Sequence, residues 1–214
     1  MGFTDRYEAG LKLSQLLTSY SQKPNVIVLA LPRGGVPVGY TLAKNLRLPL
    51  DVYLVRKLGV PGQPELALGA IALDNTCVFN QDIIQVLEIS QTSIHAEIDI
   101  QKQLLAKRNE LYRQNRSAPR LMEQTIILVD DGLATGASMR VAISALKLQN
   151  PKEIIVAVPV APASVCQQLA MEADEVICLQ TPQPFHSVGT WYENFTEVSD
   201  DEVIELLQQA DSFK

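Results

Sequence analysis

Two runs of the chain, N-V-I-V-L-A-L at residues 25–31 and T-I-I-L-V at residues 125–129, are apolar at every position after the first and rich in β-branched side chains. A strand with one face in water alternates apolar with polar residues. An unbroken apolar run instead needs burial on both faces, the environment of a parallel sheet covered by helices. The chain is therefore read as an α/β protein, an open and mostly parallel sheet flanked by helices.

The rest of the pattern fits that frame. Tyr7, Leu11, Leu13, Leu16 and Leu17 recur at helical spacing behind Thr4, a suitable N-cap, and give a lead-in helix to about residue 20. P-R-G-G at residues 32–35 is a tight loop between the first strand and a helix over 36–45, and 50–55 is the next strand. Gly59, Pro61, Gly62 and Pro64 mark 58–68 as a mobile loop, after which 69–73 and 77–79 flank Asp74-Asn75 as a short hairpin. Residues 82–116 are helical and strongly charged, with Ile94, Ile98, Leu105 and Tyr112 on one stripe, and are expected as an exposed excursion from the sheet. Strands at 125–129, 153–158 and 175–179 then alternate with helices ending at 148 and spanning 162–171. This divides the chain into a core over 1–180 and a Pro- and aromatic-rich hood segment with a closing helix, capped by Ser199, over 181–214.

Composition narrows the function classes. With 47% hydrophobic residues in 214, the chain can bury a sizeable core and is not intrinsically disordered. Its 18 basic against 24 acidic residues give a net charge of −6 with no basic stripe, so no DNA partner is expected. Asp5, Arg6 and Glu8 stand where a signal peptide would be apolar, and the longest clean apolar stretch, residues 26–31, is far too short for a membrane span. Three cysteines and two histidines without metal-ligand spacing argue against a zinc site or any metal held by protein ligands, and a reducing cytoplasm is expected.

The chemistry is concentrated in I-I-L-V-D-D-G-L-A-T-G-A-S, residues 126–138. A buried strand delivers Asp130 and Asp131 at its carboxyl end, and a short loop then opens a helix at the sheet edge where α/β proteins bind ligands. The amides and hydroxyls of Thr135, Gly136, Ala137 and Ser138 suit a phosphate monoester, because a helix N-terminus offers unpaired N–H donors. The two carboxylates suit a pair of sugar hydroxyls. Together these groups describe a site for a ribose 5-phosphate.

At these residues the chain resembles the type I phosphoribosyltransferases, whose signature is four apolar residues, two acidic residues, and a T-G-x-[ST] phosphate loop. Gly132 departs from it, since the family usually carries a branched apolar residue there. The resemblance implies that Arg33, Gly34 and Gly35 form the pyrophosphate-binding turn. It also implies that Arg56 and Lys57 face pyrophosphate and that Glu65, in the loop that closes over the reacting centre, serves as a proton relay. Ala134 stands where hypoxanthine-guanine enzymes carry an Asp, so the adenine and xanthine types are the nearer likeness. Trp191, with Phe185 and Tyr192, falls in the hood placed over the base. D-R-Y-E-A-G at residues 5–10 and the P-Q-P-F-H-S-V-G-T-W-Y-E-N-F ending further resemble a bacterial subfamily known only as phosphoribosyltransferases.

The expected reaction moves phosphoribosyl from 5-phosphoribosyl 1-pyrophosphate to a nitrogen base, purine-like, as in purine salvage. Mg²⁺ is held mainly by substrate and water, and the chain is expected as a homodimer. The alternative is a non-catalytic regulator or sensor that binds the donor without turning it over.

Overall fold

Burial on both faces of the apolar runs is what the computed structural model contains; it describes residues 2–73, 76–114 and 116–213, apart from the side chains of 64 and 65. Helix α1 (Arg6–Leu16) precedes β1 (Val26–Ala30), α2 (Gly35–Leu46) and β2 (Leu50–Val52). β3 (Val55–Val60), β4 (Gln63–Ala72), β5 (Cys77–Phe79), α3 (Gln81–Val86) and α4 (Gln91–Arg113) follow. The second half is β6 (Thr125–Val129), α5 (Ala137–Lys147), β7 (Glu153–Val160), α6 (Ala163–Leu169), β8 (Glu175–Gln180) and α7 (Asp200–Ala210).

The main sheet has the order β2-β1-β6-β7-β8, and every neighbouring pair is parallel. β1 and β6 are buried at all positions, and their side chains divide by parity between two cores. Val26, Val28 and Ala30 pack with Leu13, Leu42 and Leu207 of α1, α2 and α7. Ile27 and Leu29 pack with Met139, Ile143 and Leu146 of α5 on the other face. From β1 the chain winds one way to β2, and from β6 the other way to β7 and β8, so the strand order reverses between β1 and β6. Ligands of open α/β sheets bind in the crevice at such a reversal.

Helix α1 is set by two local devices. Asp5, and not Thr4, is its N-cap: Asp5 Oδ1 accepts the Glu8 amide at 2.8 Å, while the Thr4 amide donates to Glu8 Oε2 at 2.6 Å. A carboxylate both satisfies the free amide and complements the positive helix end, which a hydroxyl does less well. Gly10 lets α1 lie directly on α2, since a Cβ there would stand 2.4 Å from the Val38 carbonyl oxygen.

Residues 58–68 are not an irregular loop. They form most of an antiparallel hairpin of β3 and β4, continued by β5 into a three-stranded sheet. Gly59 marks a register shift, and Gly62, at φ 80°, makes the turn that its sequence suggests. What overrides the Gly and Pro content is tertiary burial: Leu58, Val60 and Leu68 enter the same core as Leu105 of α4. β2 stops at Val52, short of the expected 55, because Val55 already pairs with Ala72 in the second sheet. The short hairpin of 69–73 and 77–79 is present as the β4–β5 pair, while its turn at Asp74-Asn75 lies outside the described residues.

The charged helical stretch is two helices, separated where Glu88 takes a positive φ and Ser90 caps α4. It is no exposed excursion, since Ile94, Leu105 and Tyr112 are buried and Ile98 packs against the same core. Arg113 fastens its end to β2, with Nε 3.1 Å from Asp51 Oδ1 and Nη2 donating to the Val52 carbonyl at 2.8 Å. Helix α7 likewise belongs to the main core through Val203, Leu206 and Leu207.

Candidate functional site

The two loops that the sequence marks for phosphate chemistry stand side by side at the reversal. β1 and β6 are in register through Ala30 and Val129, so P-R-G-G and D-D-G-L-A-T-G-A-S leave the sheet at the same height. The glycines set how close they come. A Cβ on Gly34 would lie 1.9 Å from Asp131 Oδ2, and one on Gly35 would lie 2.8 Å from the Val129 carbonyl oxygen. Only hydrogen fits between the turn and the acidic pair. The Pro32–Arg33 peptide is cis. Arg33 reaches outward and forms an ion pair with Glu197 of the C-terminal segment.

The acidic pair is internally ordered. Asp130 Oδ1 accepts the Asp131 amide at 2.9 Å, and Asp131 Oδ2 receives Arg6 Nε at 2.8 Å. One oxygen of each carboxylate is thereby engaged. Burial pushes the Asp130 carboxyl well above the usual carboxylate range, and the charge of Asp131 adds to the effect. Burial also raises Asp131, against the opposing pull of Arg6.

Beyond the pair, the loop that opens α5 is largely exposed. Ala134, Thr135, Ala137 and Ser138 are exposed, Gly136 is buried between them, and Thr135 Oγ1 accepts the Ala137 amide at 3.4 Å. Gly136 takes φ 71°, and a Cβ there would meet Val165 of α6 at 2.8 Å, so conformation and packing both call for glycine. The first amides of α5 have no acceptor within the helix.

Gly132 has a specific reason to depart from the family's branched residue. Its φ is 154°, and a Cβ would lie 2.5 Å from Val188 Cγ1 and 2.9 Å from Val160 Cγ1. The missing side chain is the space into which the hood descends. Tyr192 closes the contact from above, its hydroxyl donating to the Asp131 carbonyl at 2.5 Å. Burial, followed by the charge of Asp131, raises the Tyr192 phenol far above its ordinary value, so it stays a donor.

Of the other residues singled out in the sequence, Arg56 is turned to α4, where Nε donates to Gln101, and burial and the nearby Arg108 lower its pKa. Lys57, one residue on, stands on the opposite face of β3, which Val55 shares with the α5 core, and is exposed. The Glu65 side chain lies outside the described residues. Trp191 packs with Phe3, Val160, Phe185 and Phe195 in a satellite core of the hood, and its buried Nε1 finds no acceptor among the described residues.

Arg6 escaped the sequence reading as a site residue. It is 8% exposed, and besides Asp131 it donates from Nη1 to the Thr196 carbonyl at 2.8 Å and lies 3.9 Å over the Phe195 ring. Its only signal was its place in D-R-Y-E-A-G, where nothing local distinguishes it from a solvated charge.

Residues 8–201 match the family model of the phosphoribosyl transferase domain. The chain belongs to that family. Its five-stranded parallel sheet with flanking helices and closing helix is the type I phosphoribosyltransferase fold. Two Mycobacterium tuberculosis proteins provisionally named phosphoribosyl transferases, MT0597 and Rv0571c, are each 44% identical to it over 208 residues, 97% of this chain and 47% of theirs. The chain thus spans about half the length of the curated relatives it matches. The solved structure of TT1426 from Thermus thermophilus is 40% identical, with a TM-score of 0.88, and covers 98% of this chain and 99% of that one.

Proposed function

We propose that this phosphoribosyltransferase domain moves the 5-phosphoribosyl group from 5-phosphoribosyl 1-pyrophosphate to a purine-like nitrogen base, releasing pyrophosphate. The observation that carries the reading is the contact between Gly34 and Asp131, which joins an anion-binding turn to a paired-carboxylate and phosphate loop at one strand-order reversal. In the reaction the C1–oxygen bond to pyrophosphate breaks, a base nitrogen forms the C1–N bond, and that nitrogen gives up its proton. Positive charge builds on the ribose and negative charge on the leaving group.

Each part of the site fits one piece of that charge map. Asp130 and Asp131 accept from the ribose hydroxyls and favour the cationic sugar, and the Thr135–Ser138 amides and hydroxyls take the 5-phosphate. The turn at Arg33, Gly34 and Gly35, with Lys57, receives pyrophosphate once Arg33 exchanges Glu197 for it. Glu65 serves as the proton relay and Trp191 as part of the hood over the base. The donor enters as its Mg²⁺ complex. That ion is held mainly by substrate oxygens and water, since Mg²⁺ keeps several of its waters and needs few protein ligands.

We further propose that the protein works as a homodimer in a reducing cytoplasm; among the described residues no helix is long and apolar enough to cross a membrane. The test is a panel of bases incubated with the donor and Mg²⁺ while pyrophosphate is measured. Release that depends on one class of base is expected. Donor binding without release for any base would replace the enzyme with a sensor.

A further inference from the structure

Arg6 reaches the acidic pair from the first turn of α1, outside both the P-R-G-G turn and the D-D-G-L-A-T-G-A-S loop. We infer that Arg6 is a positioning residue: bridging Asp131 and the hood, it fixes which Asp131 oxygen is left to meet a ribose hydroxyl. The inference rests on the proposed phosphoribosyl site and adds to it the group that orients one of its two carboxylates.

Three contacts define the bridge. Nε donates to Asp131 Oδ2 at 2.8 Å, Nη1 donates to the Thr196 carbonyl at 2.8 Å, and the guanidinium carbon Cζ lies over the Phe195 ring, 3.9 Å from its centre. A fork with fixed donor directions cannot satisfy Asp131 and Thr196 together unless both stand in one arrangement, and the aromatic face removes a further degree of freedom. Asp131 is gripped from its other end as well, where its carbonyl accepts from Tyr192. With Oδ2 committed to Arg6, the oxygen most open to a sugar hydroxyl is Oδ1.

The placement of Arg6 is itself built in. Asp5 caps α1 immediately before it, and Gly10 permits the close approach of α1 to α2, the helix that begins at the pyrophosphate turn. A surface arginine needs neither device. Arg6 is 8% exposed, and its charge opposes the rise in the Asp131 pKa, so the carboxylate it orients is also kept ready to accept.

Calorimetry on the full chain tests this with two ligands, ribose 5-phosphate and inorganic phosphate. Arg6→Gln should weaken ribose 5-phosphate binding by about tenfold or more, the loss of a hydrogen bond to a charged group, while inorganic phosphate stays within about twofold. Arg6→Lys places a charge beside Asp131 without spanning to Thr196, and should show the same split at smaller amplitude; it also serves if the Gln variant does not fold. Equal losses for both ligands would make Arg6 a general structural residue and overturn the inference, as would no loss at all. A wild-type chain that fails to bind ribose 5-phosphate would instead overturn the reading of the site.

Discussion

Gly34 and Asp131 touch so closely that the difference between glycine and alanine is the difference between an assembled site and a broken one. The 1.9 Å that would separate a Gly34 Cβ from Asp131 Oδ2 is below any real contact, and Asp131 is already held by Arg6 and cannot simply swing away. Gly34→Ala should therefore cost about 1–3 kcal/mol, the usual range for overpacking a tight site. It should also abolish binding of both pyrophosphate and ribose 5-phosphate. Thermal unfolding and calorimetry on the same variant check the two halves.

Asp130 should destabilise the free protein at neutral pH. Burial and the charge of Asp131 raise its folded-state pKa, so the folded protein retains a proton that the unfolded chain releases near pH 4. Stability from this source is fully present below about pH 4 and is lost as pH rises through the raised value. Asp130→Asn, which keeps an oxygen for the Asp131 amide, should raise the unfolding temperature by a few degrees at pH 7 and hardly at pH 4, while ribose 5-phosphate binding falls. A variant less stable than wild type at pH 7 would show that the carboxylate is stabilised by partners beyond those described.

Gly132→Val would give the chain the branched residue usual in its family, and it should be harmful here. The new side chain meets Val188 and Val160 at 2.5 and 2.9 Å. A loss of about 1–3 kcal/mol is expected, with faster amide exchange over residues 185–195 as the hood lifts. An unchanged exchange pattern would mean that the hood is held from elsewhere.

Gly136→Val should disrupt the proposed phosphate loop by a separate route. A β-branched residue at φ 71° is strained, and its Cβ would press on Val165. Phosphate and ribose 5-phosphate binding should both disappear, whereas Arg6→Gln spares phosphate. Calorimetric titrations with each ligand distinguish the two variants.

Much of this architecture is legible in the sequence because burial writes directly into composition. β1 and β6 announce themselves as runs without a charged residue, and the D-D-G-L-A-T-G-A-S loop carries side chains whose chemistry is local. The hairpin at 58–68 is different. Its Gly and Pro residues signal turns truthfully, but Leu58, Val60 and Leu68 become strand residues only because α4, far along the chain, covers them. Arg6 is hidden for the same reason, since its partners Asp131, Phe195 and Thr196 are distant in sequence and no spacing rule joins them. Gly132 could be noticed as a departure, but its cause, Val188, lies in a segment whose path no motif records.

Trp191 of the hood is the only tryptophan in the chain, and its indole N–H is shut away from water without an acceptor among the described residues. Indole emission from this protein therefore comes from a single half-buried side chain whose N–H is kept from water while the segment around it stays closed. A change in colour on adding a small molecule would report that segment opening or gaining a polar neighbour, with no label attached and no other indole to confuse the signal.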